Sequence, residues 1–300
     1  MQKVKLTDDL ELSRIVHGLM RLSEWGFSKK ERLNLIESII DLGITSFDHA
    51  DIYGNYSCEE LFGEALALKP EIRKDIQLIT KCGIKMISKN RPEHKIKHYD
   101  TTKEHIISSV ENSLKNLQTD YLDLLLIHRP DPLMNPDQVA EAFKSLKAKG
   151  KVLNFGVSNF KPTEFEMLSS RLDFPLVTNQ IEVSVMALEN FENGSINKCL
   201  EKDISPMAWS PLAGGSVFNS NQEGAARVRK TLLKIKEETN ADSIAQLMYA
   251  WILKHPARII PIVGSGKINR IEEACSSLAV ELSREQWFEI LESSRGREVK

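Results

Sequence analysis

The chain has 300 residues, 41% hydrophobic and 27% charged, the ordinary balance of a soluble globular protein with a full core. Its 40 basic and 42 acidic side chains leave a formal net charge of −2, which points to neither nucleic acid nor an anionic membrane surface as partner. No run approaches the roughly 18 apolar residues that a spanning helix requires, and the opening segment lacks the apolar core of a signal peptide. The four cysteines, Cys58, Cys82, Cys199 and Cys275, are scattered, with no C-x-x-C pair and no neighbouring histidine cluster. They read as isolated thiols in a reducing compartment rather than a disulfide frame or zinc site. The expectation is a cytoplasmic protein, in which the sequons at Asn55 and Asn193 are chance matches.

In chain order, short apolar runs at 15–19, 44–48, 76–81, 122–128, 152–158, 176–181, 205–210 and 259–263 read as strands. Several are nearly continuous, as Leu124-Leu125-Leu126-Ile127 is, which a parallel strand covered on both faces requires. Between them the period changes to that of a helix. Ile107, Val110, Leu114 and Leu117 recur at three and four residues, as do Phe165, Leu168 and Leu172, and later Ile268, Ile271, Cys275 and Leu278. Capping-box pairs mark helix starts at Ser28 with Glu31, Ser57 with Glu60, Thr101 with Glu104, Thr163 with Glu166 and Ser283 with Gln286. Gly43 and Gly150 stand where a helix should stop and a strand begin. The polar, basic stretch 82–100 is expected as a long loop after the third strand, 213–224 as a loop after the seventh, and 293–300 as a frayed tail.

Eight strand–helix units imply a parallel sheet, and eight is the number that closes into an α/β (β/α)8 TIM barrel, here expected as a single domain over residues 1–300. A doubly wound open sheet that binds dinucleotides would normally carry G-x-G-x-x-G after its first strand, and the chain has none. Gly264-Ser265-Gly266-Lys267 superficially suggests a P-loop. Pro261 stands where the first glycine of that motif belongs, and Ile268 replaces its Ser/Thr.

The active site of such a barrel lies on the loops that follow the strands. The polar residues that end the apolar runs are therefore the candidates: Asp48, Lys81, His128, Ser158 with Asn159, Asn179 with Gln180, and Trp209 with Ser210. Singly, each has a plain structural explanation: a solvated lysine, a core histidine, an aspartate that caps a helix. Convergence on one rim is harder to dismiss. A metal-dependent hydrolase would want clustered histidine and carboxylate ligands there. The rim offers one such histidine, so no metal is expected.

These segments carry a family pattern. Phe47-Asp48-His49-Ala50-Asp51-Ile52-Tyr53-Gly54 resembles the D-x-A-x-x-Y-G segment of aldo-keto reductases. Thr80-Lys81 and Leu122-Asp123-Leu124-Leu125-Leu126-Ile127-His128 resemble the family's strand-three lysine and strand-four histidine. Gly156-Val157-Ser158-Asn159-Phe160, Asn179-Gln180-Ile181-Glu182, Ala208-Trp209-Ser210-Pro211-Leu212 and Ile260-Pro261-Ile262-Val263-Gly264-Ser265 continue the match in family order over nearly the whole chain. The look is closest to the family's bacterial YdhF-type branch. The resemblance implies reduction of an aldehyde or ketone by a nicotinamide cofactor, with Asp48, Tyr53, Lys81 and His128 as the catalytic group.

Such a reduction needs a hydride donor, an acid for the developing alkoxide and a group that polarises the oxygen. A phenol's ordinary pKa of about 10 is poorly matched to neutrality, and an adjacent ammonium is expected to lower it. That assigns Tyr53 as general acid, Lys81 as its electrostatic partner, Asp48 as the lysine's anchor and His128 as the group orienting the substrate oxygen. By resemblance, Ser158, Asn159 and Gln180 hold the nicotinamide carboxamide, Trp209 stacks on its ring, and Ser210, Pro211 and Leu212 follow the diphosphate and adenosine. Gly264 and Ser265 would give backbone access ahead of a helix N-terminus that favours anions. Lys267 and Arg270 would pair with a 2′-phosphate, favouring NADPH over NADH, unless both are solvated helix charges. Trp209 stands where the family usually has tyrosine, and Ala274 where an adenine-contacting asparagine is usual, leaving adenine recognition weaker or built differently.

The substrate pocket is expected from Met20, which also belongs with the cofactor contacts, and from Arg21, Trp25, the stretch beyond Cys82 and Arg129. Arg129 serves either an anionic substrate or a structural ion pair, and His49, where many relatives have threonine, serves packing. The implied partner is a small-molecule carbonyl, for a monomer or weak homo-oligomer. The same residues are compatible with an NADPH-binding regulatory or redox-sensing subunit of slow turnover, which steady-state kinetics would separate from an enzyme.

Overall fold

The computed structural model describes residues 1–299; Lys300, the last residue of the expected frayed tail, lies outside the described residues. Eight parallel strands follow one another around a closed barrel: Val16–Gly18, Ser46–Asp48, Gln77–Cys82, Leu122–Ile127, Val152–Ser158, Leu176–Glu182, Met207–Trp209 and Ile260–Val263. The eighth pairs back to the first through Ile262 with Val16. Helices Lys29–Asp41, Cys58–Leu66, Lys103–Leu117, Pro136–Ala148, Pro162–Ser169, Ser195–Glu201, Glu223–Glu238 with Ile244–Leu253, and Ile268–Ser276 follow the strands in turn. The fold is a (β/α)8 TIM barrel, as the alternating pattern requires.

Strand side chains alternate between two faces, and here both faces are apolar. Leu125 and Ile127 belong to the outer cluster beneath the helices, whereas Leu124 and Leu126 join Val16, Ile79, Val177, Met207, Ile260 and Ile262 inside the barrel. Two residues further along the inner register come Gly18, Lys81, His128 and Trp209. Phe47 and Val157 point outward, so Asp48 and Ser158 point in. A register shift between Leu176 and Asn179 resets the sixth strand, so that Ile181 goes outward and Gln180 inward. One two-residue step of the inner register thus changes the barrel interior from hydrocarbon to a polar mouth.

A hairpin absent from the sequence reading, Lys3–Lys5 paired with Glu11–Ser13, brings Val4, Leu10 and Leu12 against the inner cluster ahead of the first strand. The stretch 82–100 is not the plain loop expected: Ile84–Lys85 pairs antiparallel with His98–Tyr99, and Lys85 forms a 2.7 Å ion pair with Asp100. Stretch 213–224 contains a short helix, Ser216–Asn219. The last helix, Arg284–Arg295, runs through the start of the expected tail and stops at Gly296, whose φ of 71° a side chain would strain.

Reciprocal capping boxes form at Ser28 with Glu31 and Ser283 with Gln286. The other three expected pairs do not form. Thr102, not Thr101, caps its helix by accepting the His105 amide, while Thr101 bonds Asp131. The helix expected at Thr163 begins at Pro162, and the Ser57 hydroxyl turns back to the Gly54 carbonyl. On helix Lys103–Leu117 the buried position is Ile106 rather than Ile107. Gly43 and Gly150 both take positive φ after their helices, at 85° and 66°.

Two contacts tie the outer layer together. A Cβ on Gly63 would lie 2.0 Å from the Asn116 carbonyl oxygen, so helices Cys58–Leu66 and Lys103–Leu117 touch backbone to backbone. Trp251 and Trp287 stack at 4.9 Å, and each indole N–H donates to the other's backbone carbonyl, at 3.1 and 3.0 Å. No helix among the described residues is long and apolar enough to cross a membrane.

Candidate active site

Lys81 is wholly buried, and an ammonium taken out of water needs compensation. Its Nζ lies 2.8 and 2.7 Å from the two Asp48 oxygens, 2.6 Å from the His49 carbonyl and 3.1 Å from the Tyr53 hydroxyl. Three protons serve these four oxygens, and the phenol has the longest contact. Burial alone would lower the lysine's pKa; Asp48 and Tyr53 more than offset it and hold the pKa above its ordinary value. The other side of Asp48 is fixed by Gln180, whose Nε2 donates to Oδ1 at 2.8 Å.

Tyr53 reaches this group because the chain turns sharply behind it. Gly54 and Asn55 take left-handed backbone, φ 59° and 55°, and return the chain to helix Cys58–Leu66. A Cβ on Gly54 would lie 2.6 Å from both Cys58 Sγ and Ser23 Oγ. The expected lowering of the phenol's pKa is corrected by its surroundings. Burial is the largest influence and pushes it up, Asp48 adds to that, and Lys81 pulls against both without reversing them. The two contacts from Asp48 neutralise much of the ammonium's field before it reaches the phenol.

The His128 ring stands edge-on to Tyr53 at 5.9 Å, with its backbone N–H on the Cys82 carbonyl. Burial, then Lys81 and Arg129, hold its pKa well below the ordinary value, so the imidazole is neutral. Its Nδ1 is buried without a protein partner. Asn159 donates from Nδ2 to the His128 carbonyl at 3.2 Å and to Ser158 Oγ at 2.8 Å, while its Oδ1 accepts the Trp209 indole N–H at 3.0 Å. The Ser158 hydroxyl donates in turn to the Gln180 carbonyl at 2.8 Å. Arg129 stands 5.6 Å from the Trp209 ring.

The remaining expected residues spread along the rim. Met20 is half exposed, Pro211 is buried, and Leu212 wedges between the outer clusters. Ser210 takes left-handed backbone, φ 51°. Trp25, expected in the substrate pocket, lies against the eighth loop: a Cβ on Gly266 would meet its Cδ2 at 2.6 Å. Ahead of helix Ile268–Ser276, Gly264 is exposed and Ser265 Oγ accepts the Lys267 amide at 3.1 Å. That helix start has no side-chain cap and no acidic residue in its first turn, and Lys267 and Arg270 are exposed beside it. Free backbone N–H groups and two cations fit a phosphate-bearing cofactor. Ala274 is wholly buried in the same helix.

Sequence reading passed over two acids. Glu59 is buried and accepts the Thr80 hydroxyl at 2.6 Å. Asp51 has an unpartnered Oδ1 and, by burial and then the nearby Glu59, a pKa raised well above the ordinary carboxylate. Both line a polar cavity of about 180 Å³ reaching Asn112 and Asn116 of helix Lys103–Leu117. Asp51 stood in view inside the quoted segment, between Asp48 and Tyr53, but nothing in its spacing marks it as buried.

Known proteins resemble this chain over nearly its whole length. The chain is 56% identical over 299 residues to the uncharacterized oxidoreductase YcsN of Bacillus subtilis (strain 168), covering 100% of each chain. It is 47% identical to the oxidoreductase YdhF of Escherichia coli (strain K12), covering 96% of each, which bears out the branch resemblance. A 6-dehydroglucose reductase of Agrobacterium fabrum (strain C58 / ATCC 33970) is 43% identical, covering 100% of each. The crystal structure of the thermostable aldo-keto reductase Tm1743 with the inhibitor epalrestat superposes with a TM-score of 0.82 at 25% identity, covering 98% of this chain and 100% of that one. The pattern described as the aldo/keto reductase family matches residues 14–295, and the chain belongs to that family.

Proposed function

We propose that this chain reduces an aldehyde or ketone to an alcohol with NADPH, Tyr53 serving as the general acid. The observation that carries the reading is the Tyr53 hydroxyl 3.1 Å from an ammonium that both oxygens of Asp48 hold in place. When bound, the dihydronicotinamide supplies the hydride. The residues do the rest. A phenol held above its ordinary pKa by burial keeps its proton at neutral pH and is available as a donor. As the proton leaves, negative charge develops on the Tyr53 oxygen, and Lys81 is already placed to stabilise it. Neutral His128 offers a ring N–H to the substrate oxygen, without adding a second positive charge beside Lys81.

Ser158, Asn159, Gln180 and Trp209 would hold the nicotinamide end, with Met20, Ser210, Pro211 and Leu212 along the cofactor and Gly264, Ser265, Lys267 and Arg270 at its phosphates. Arg129 and Trp25 would border the substrate. Four free cysteines support a cytoplasmic setting, and the family match over residues 14–295 supports one domain across the chain. The 43% identity to a 6-dehydroglucose reductase makes an oxidised sugar the first carbonyl to assay.

Tyr53→Phe tests the reading. Removing the acid should lower turnover by about 10²- to 10⁴-fold and leave the Kd for NADPH within about twofold of wild type, since an interaction made only at the transition state is lost. Wild-type rates in that variant refute the assignment. Wild-type protein limited to a single turnover would favour a sensing subunit.

A further inference from the structure

The Trp209 indole does more in this structure than present a flat face. Its N–H can only donate, and the His128 carbonyl can only accept. Asn159 lies between them, 3.0 Å from the first through Oδ1 and 3.2 Å from the second through Nδ2. The two ends of its amide are therefore fixed by chemistry, a choice that distance alone would leave open. Ser158 Oγ takes the remaining Nδ2 proton at 2.8 Å. Asn159 has no donor left, and one free lone pair on Oδ1. Its backbone is equally set, at a left-handed φ of 63°, with its N–H on the Gln180 carbonyl at 2.9 Å.

From this geometry we infer that Trp209 is a positioning residue: its indole N–H locks the Asn159 amide so that the seventh, fifth and fourth strand ends are braced together and only an acceptor faces the cofactor. The inference rests on the proposed nicotinamide reading of this rim and goes beyond it. A tyrosine ring at this position would have no N–H at that place. The locked acceptor selects the carboxamide by its NH2 group, and it discriminates against a ring substituent that has an oxygen but no N–H.

The test is equilibrium binding, measured by calorimetry, of NADPH and of its 3-acetylpyridine analogue, in which a methyl replaces the amide NH2. Wild type should prefer NADPH. Trp209→Phe keeps a ring and loses the N–H, so the Asn159 amide can turn at lower cost, and the preference should fall about fivefold or more. In an Asn159→Ala background, Trp209→Phe should change the preference no further, because the indole acts through that amide. In the cofactor-free protein, Asn159→Ala should also speed hydrogen exchange of the Trp209 indole N–H, a readout independent of binding. An unchanged preference in Trp209→Phe, an equal change in the Asn159→Ala background, or unchanged exchange would overturn the inference. Wild type that binds neither nucleotide removes the functional reading and the inference with it. Wild type that binds both equally removes the inference alone.

Discussion

His17 and His49 make the protein's stability depend on pH in a way that can be worked out from their surroundings. Both are wholly buried, and neither has a hydrogen bond on either ring nitrogen. Their neighbours are hydrocarbon and aromatic: Trp25 and Phe47 around His17, and the edge-on ring of Phe62 at 4.6 Å from His49. Burial pushes both pKa values down to about 3, with Lys81 and His17 adding to the effect at His49. In the unfolded chain each returns to about 6.5. Above that value both states are neutral and nothing is lost. As pH falls below it, the unfolded chain takes up protons that the folded chain refuses, and stability drains away until the folded pKa near 3 is reached. Between pH 7 and pH 5 each ring removes about 2 kcal/mol, about 4 kcal/mol together, against a total of about 5–15 kcal/mol for a typical domain. Urea unfolding at the two pH values measures it. A His17→Asn/His49→Asn double variant loses packing at both pH values alike, so the difference between them isolates titration. Wild type should lose about 4 kcal/mol more than the double variant over that interval. His105, His128 and His255, also held below their ordinary values, leave the variant some residual slope. Equal losses in both proteins would refute the reasoning.

Three further outcomes follow from packing and charge. Gly63→Ala should lower the thermal midpoint: alanine's helix propensity is worth about 1 kcal/mol, but the 2.0 Å approach to the Asn116 oxygen forces two helices apart, a cost of about 3 kcal/mol. A variant as stable as wild type would show that the helices slide freely. Trp287→Phe removes the hydrogen bond to the Trp251 carbonyl and part of the stack, and should cost about 2 kcal/mol in urea unfolding. A negligible change would mean that the paired indoles do not clamp the last helix. Replacing both Lys267 and Arg270 with alanine should weaken NADPH about tenfold and leave NADH nearly unchanged. Equal losses for the two nucleotides would mean that these cations do not distinguish the 2′-phosphate.

The barrel was legible because strands such as Leu122–Ile127 are apolar on both faces and so stand out as continuous runs. The two antiparallel pairs were not, since segments such as Lys3-Val4-Lys5 and Ile84-Lys85 set a single apolar residue beside charged ones and form no apolar run. Helix phase was read correctly at Val110, Leu114 and Leu117 and missed at Ile106, where adjacent isoleucines satisfy the pattern equally well. The polar residues ending the strands were visible by type, and the two-residue register explains why Asp48, Lys81, His128 and Gln180 meet. What the sequence could not show is how burial acts on them. The rise of the Tyr53 pKa depends on walls contributed by distant segments, as does the placement of Trp25 on Gly266. Glu59 and Glu60 look alike in sequence, and only the docking of their helix decides which is buried.

The site also divides into two braces whose connection is narrow. Lys81, Asp48 and Gln180 join the third, second and sixth strands, while Trp209, Asn159 and His128 join the seventh, fifth and fourth. They meet at the Gln180 carbonyl, which accepts the Asn159 backbone N–H directly and the hydroxyl of Ser158, itself an acceptor from the Asn159 amide. One brace carries the buried ion pair and the Tyr53 hydroxyl; the other carries the Trp209 indole and the neutral His128 ring. The two braces therefore share a residue rather than one continuous run of hydrogen bonds: Ser158 meets Gln180 at its backbone carbonyl, and Asp48 meets it at its side-chain amide, so the sixth-strand backbone at Gln180 fixes one brace relative to the other.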